Sequence, residues 1–177
     1  MMNHTGNARG KRGGSPLAAL ALCLLLAGCY SFRGGAPPAN LKTVIIPTVE
    51  DASGFGRATV RDEMTRELIR KFREDNSLRV VDAAQADSRL EVTITNIRND
   101  ERRNISTGEI ETVRGVTISA QVTFLDNLKR TSVFANRAFS GDAQYRLDEG
   151  AAGEERAIRT AVDKITSEIL LAAVADW

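Results

Sequence analysis

The chain has 177 residues, 42% of them apolar, with 24 Lys and Arg set against 23 Asp and Glu. A formal net charge of +1 excludes the basic surplus that nonspecific nucleic-acid binding requires. One histidine and two cysteines leave little material for imidazole or thiolate catalysis, or for a transition-metal centre.

At the N-terminus Arg9, Lys11 and Arg12 precede an apolar run from Leu17 to Leu26, with no acidic residue before it. A run of that length falls well short of the roughly 20 residues that span a bilayer, and its order is that of a secretory signal peptide. It ends in Leu26-Ala27-Gly28-Cys29, the bacterial lipobox pattern. Cleavage is expected before Cys29, whose thiol then carries diacylglycerol. Residues 1–28 are therefore read as a lipoprotein signal peptide. Its removal takes away His4, Cys23 and three cations, which moves the net charge from +1 to −2. With Cys29 acylated, the mature chain has no pair of thiols to oxidise.

Tyr30 stands where an aspartate would favour inner-membrane retention, so the expected location is the outer membrane. Residues 29–40 hold Gly34, Gly35, Pro37 and Pro38 and read as an extended tether. Twelve residues reach at most about 40 Å. The folded domain is expected over residues 41–177.

Leu41 to Ile46 is apolar and β-branched, a first strand ended by Pro47. Turn residues follow to Gly56. Gly54-Phe55-Gly56 sits where a phosphate loop would, but Thr59 replaces the third glycine of the dinucleotide fingerprint and no Walker lysine follows. An ordinary turn is the better reading. Val60, Met64, Leu68 and Phe72 recur every four residues between charged positions, which predicts an amphipathic helix to about Glu74. A short strand is expected from Leu78 to Val81.

Leu90, Val92 and Ile94 alternate with polar residues as a half-buried strand, and Ile97 breaks the parity, which predicts a bulge. The polar stretch from Arg98 to Thr112 reads as a long hairpin connection. Val116 to Leu125 alternates cleanly and is the clearest strand. Asp126-Asn127 opens a turn into a strand over Thr131 to Ser140, and Gly141 to Gly150 reads as irregular. A last helix is expected from about Ala151 to Ala175, with Ile158, Val162, Ile165, Ile169 and Ala172 on one face and Glu154 and Glu155 in its first turn. The fold class is α+β: two helices packed on one face of a mainly antiparallel or mixed sheet of four to five strands.

Arg98, Arg102, Arg103 and Arg114 bracket the long connection, with Asp100, Glu101, Glu109 and Glu111 among them. Two readings stay open: a solvated tip of mixed charge, or a patch that meets the anionic phosphates of a lipid headgroup. Asn104-Ile105-Ser106 matches a glycosylation sequon by coincidence in a bacterial lipoprotein.

The pattern Cys29-Tyr30-Ser31-Phe32-Arg33-Gly34, then Pro37-Pro38, then Leu41-Lys42-Thr43-Val44, and the ending Ala173-Val174-Ala175-Asp176-Trp177 resembles the lipopolysaccharide-assembly lipoprotein family LptE, in its divergent branch. The resemblance implies two helices on one face of a mixed sheet and a non-enzymatic role with no cofactor. It implies a protein that sits in the lumen of the LptD-type outer-membrane β-barrel, assists the assembly of that barrel, and contacts lipopolysaccharide on its way to the surface. Only Cys29 carries over residue by residue, as the lipidation site. On charge alone, Arg102 and Arg103 are the candidate lipopolysaccharide-binding positions. The alternative is a periplasmic adaptor lipoprotein that activates cell-wall synthases or builds a secretion pore. Such adaptors alternate strands and helices around a more parallel sheet. A carboxylate-based hydrolase ranks third.

Overall fold

The computed structural model describes residues 40–82, 85–106 and 109–175. The signal-peptide, lipobox and tether readings lie outside the described residues. The elements in chain order are β1 (Thr43–Ile45), β2 (Glu50–Asp51), helix α1 (Ala58–Asp75), β3 (Arg79–Val80), β4 (Ser88–Ser106), β5 (Glu109–Asp126), β6 (Thr131–Arg146), a single 3-10 turn (Leu147–Glu149) and helix α2 (Gly150–Ala175).

Helix α1 buries Val60, Met64, Leu68 and Phe72, one residue per turn, as the four-residue spacing predicts. It ends where Asn76 takes a left-handed backbone (φ 58°) and donates its N–H to the Phe72 carbonyl at 3.1 Å. Asparagine tolerates that conformation, so no glycine is needed. Gly54 and Gly56 both hold positive φ in the preceding loop, which is the ordinary turn expected there.

The strands form one six-stranded sheet in the order β3-β1-β4-β5-β6, with β2 also paired to β4. β1 pairs in parallel with both β3 and β4, and β2 pairs in parallel with β4. The β4–β5 and β5–β6 pairs are antiparallel. The sheet is thus mixed, with six strands rather than four to five. Parallel neighbours need a crossover, and α1 supplies the one from β1 to β3. Leu90, Val92, Ile94 and Ile97 of β4 join alternate residues of β5 from Val116 to Phe124 in one core with both helices. The predicted bulge is present: the β4–β5 register shifts between Ile94 and Asn96, which lets Ile94 and Ile97 both face the helices.

Three expectations need correction. Arg98 to Thr112 is not a loose connection. The two strands continue through it in register from Arg98↔Thr117 to Ser106↔Glu109, flanked by β6 as far as Val113 and two-stranded beyond. Gly141 to Arg146 is strand and not irregular, because β6 runs unbroken to Arg146 against Val113. Glu154 and Glu155 fall in the second turn of α2, since the helix opens at Gly150, and Glu154 instead pairs with Arg57 at 3.0 Å.

Helix α2 lies low and antiparallel on β6. A Cβ on Gly141 would stand 2.2 Å from the Ala161 carbonyl oxygen, and one on Gly153 would stand 2.9 Å from the Tyr145 ring. Glycine at these two positions lets the helix backbone approach the strand. The body therefore has two distinguishable ends. At one, Asn40 donates to the Asp126 carboxylate at 3.1 Å beside the β5–β6 turn, and the last turns of α2 lie along Arg137 to Phe139 of β6. At the other, α2 begins and the β4–β5 ribbon departs.

Candidate functional site

The ribbon carries the charged positions singled out in the sequence. Beyond Arg146 of β6 and Asp51 of β2, neither outer edge of the ribbon has a strand partner among the described residues. Its base is anchored on the helix side of the sheet. Asn99 donates its amide to the Tyr145 hydroxyl at 3.0 Å, and Tyr145 is buried between β6 and the start of α2. One step outward, Arg114 pairs with Glu101 at 3.3 Å. The Glu101 hydrogen bond holds the Arg114 guanidinium more firmly protonated, with a smaller contribution from the Tyr145 hydroxyl. Arg114 Nε is buried with no acceptor among the described residues.

Arg98 and Asp100 are exposed and alternate with Asn99 and Glu101 along β4. Arg102 stands opposite Val113 and Arg103 opposite Thr112. Their side chains lie outside the described residues. The structure places Arg98, Arg102, Arg103 and Arg114 on one ribbon but ties Arg114 to its base. Cys29 lies outside the described residues.

Asn99 and Tyr145 were not legible as a pair. Tyr145 fell in a stretch read as irregular, and its partner is 46 residues away. Among the described residues no cluster of three His, Cys, Asp or Glu side chains could hold a metal ion. An open groove of about 530 Å³ runs between β6 and the last turns of α2, lined by Arg137, Phe139, Glu168, Leu171, Ala172 and Ala175. No helix of the described residues is long and apolar enough to cross a membrane.

Two helices on one face of a mixed sheet, with one hairpin drawn out into a ribbon, make a two-layer α+β body. The LptE lipopolysaccharide-assembly family model matches residues 41–172, from the first strand to the last turn of α2. The chain belongs to that family. No curated protein sequence matches it. Among solved structures, the Xanthomonas campestris protein XCC0632 shares the fold, with a TM-score of 0.56 at 14% identity over 80% of this chain and 91% of that one. A minor lipoprotein from Acinetobacter baumannii gives 0.46 at 11% identity over 74% and 91%. The PelC dodecamer from Paraburkholderia phytofirmans gives 0.47 at 15% identity over 80% and 95%.

Proposed function

We propose that this protein is an outer-membrane lipoprotein, acylated at Cys29, that plugs an LptD-type β-barrel, assists its assembly and takes part in moving lipopolysaccharide to the cell surface. The observation that carries the reading is the family match over residues 41–172. The body suits the role physically. A barrel lumen is wet and polar, and the helix-free face of the sheet presents Thr93, Thr117, Ser119, Gln121 and Thr123 in place of an apolar surface. Arg102 and Arg103 at the ribbon are the proposed lipopolysaccharide contacts, through charge-assisted hydrogen bonds to headgroup phosphates.

Depleting the protein tests the assignment. Assembled barrel and surface lipopolysaccharide should fall together, and cells should become permeable to large hydrophobic antibiotics. Normal barrel levels after depletion would refute the plug and favour a cell-wall adaptor. Cys29→Ala should leave an unprocessed or soluble species, since stable anchoring needs the attached chains. Recovery of the wild-type protein in the soluble fraction without detergent would sink the lipoprotein reading. Reversing Arg102 and Arg103 to Glu should weaken lipopolysaccharide binding and leave barrel capture intact.

A further inference from the structure

From Asn127 to Gly141 the chain carries Lys129, Arg130 and Arg137 and no carboxylate, in a protein whose charges are otherwise balanced. This segment is the β5–β6 turn and the first half of an edge strand. It is also apolar at its surface. Leu128 is 57% exposed at the turn, and Leu171 of α2 is 60% exposed in the groove beside Arg137, which Glu168 also lines. The Arg137 guanidinium lies over two rings, 5.7 Å from the Phe134 centroid and 5.4 Å from that of Phe139. The nearest carboxylate in sequence, Asp126, is 3% exposed and accepts hydrogen bonds from Asn40 and the Lys129 N–H.

That last contact ties the end of the tether to this segment. Asn40, the last position of the tether, is held beside this turn. The eleven residues from 29 to 39 reach at most about 40 Å. Whatever surface holds Cys29 is thus within reach of Leu128, Lys129 and Arg130. Cations beside exposed apolar side chains, with guanidinium stacked on aromatic rings, match a bilayer interface. Leu128 enters the headgroup boundary and the cations meet phosphate, with Arg137 braced on the buried Phe139 and half-buried Phe134 rings.

We infer that the tether end of the body is a membrane-docking surface that seats the Leu128–Arg130 turn and the start of β6 on an anionic leaflet. The inference rests on the lipoprotein reading only for the presence of a bilayer. The body binds that surface through its own side chains, and docking sets which way the ribbon points.

The test uses residues 29–177 with Cys29→Ser, so no acyl chain drives binding. Among the described residues the core runs from Leu41 to Val174, and residues 29–177 contain all of it. Co-sedimentation is measured with vesicles of phosphatidylglycerol and phosphatidylethanolamine, and with phosphatidylcholine alone. Binding is expected to the anionic vesicles, to weaken with added salt, and to be much lower on phosphatidylcholine. Leu128→Asp with Lys129→Glu should lower anionic-vesicle partitioning by roughly tenfold or more. The turn is exposed and keeps its Lys129 backbone bond to Asp126, and far-ultraviolet circular dichroism would verify an unchanged fold. Leu147→Asp, at the opposite end and 49% exposed in the wild type, should change nothing. No binding to the anionic vesicles would overturn the inference. So would unchanged binding by the turn variant, or an equal loss with Leu147→Asp. A turn variant that keeps vesicle binding but loses barrel capture would assign the surface to a protein instead. Soluble recovery of the acylated wild type would count against the anchor and leave the vesicle result standing.

Discussion

Gly141 sets the spacing between α2 and the sheet, because a methyl group there would overlap the Ala161 carbonyl. Gly141→Ala should cost about 1–3 kcal/mol, the range for overpacking a close-fitted core. Phe72 and Ile165, 1% and 0% exposed, should each cost roughly 2–5 kcal/mol on change to Ala. Exposed Arg66→Ala should stay within about 0.5 kcal/mol. Urea unfolding ranks the four, and a larger loss for Arg66→Ala than for Phe72→Ala would contradict the helix phase.

Two carboxylates fasten the first strand. Asp87 accepts the backbone N–H groups of Lys42 and Thr43 at 2.9 and 3.0 Å, and the Lys42 bond does most to hold its carboxyl below the usual range. Burial pushes Asp126 up, but the Lys129 N–H and the Asn40 amide outweigh it and hold it low as well. A depressed folded pKa means stability that is fully present above the unfolded value, about 3.9, and is lost as pH falls through the folded value. The thermal midpoint should therefore drop below about pH 4. The double change Asp87→Asn and Asp126→Asn should be less stable at pH 7 and lose less on acidification. A double variant with the wild-type acid slope would show that other groups set it.

At the scale of elements, the ribbon carries β4 and β5 outward beyond Ile97, the last β4 residue of the described core. Arg102 and Val113 are register partners, so an Asn-Gly pair can replace residues 103–112 as a tight hairpin turn. That shortened protein should unfold within about 0.5 kcal/mol of the wild type in the same urea assay. The base behaves differently. Tyr145→Phe leaves the Asn99 amide without its partner and should cost about 0.5–1.5 kcal/mol. Amide exchange should then accelerate at residues 97–101 and 113–117, and uniform exchange would mean that the pair does not hold the ribbon.

Across the whole molecule, the nineteen residues of β4 at about 3.3 Å each separate the tether end from the ribbon end by roughly 60 Å. The two proposed surfaces, lipid-facing turn and ribbon, thus cannot serve the same contact. A photo-cross-linking side chain at Leu128 should capture lipid in cells, and one at Asp100 should capture barrel or lipopolysaccharide. Lipid capture at both positions in equal measure would collapse the two-ended arrangement.

The chain by itself determined the two helices, their buried faces, the β4 bulge and the central alternating strands. Each rests on residues a few positions apart, and burial of one face imposes a period that can be read locally. Mixed-charge ribbon residues gave no such signal. Strand continuity there shows in the backbone pairing from Arg98↔Thr117 to Ser106↔Glu109, which joins positions on two separate strands. The parallel placement of β1 between β3 and β4 was equally hidden, because hydrogen bonds between distant segments leave no periodic trace. Only the tertiary structure brought Asn40 to Asp126, Asn99 to Tyr145 and α2 to Gly141. These contacts join residues far apart in the chain, and they decide which end carries the tether and which end carries the ribbon.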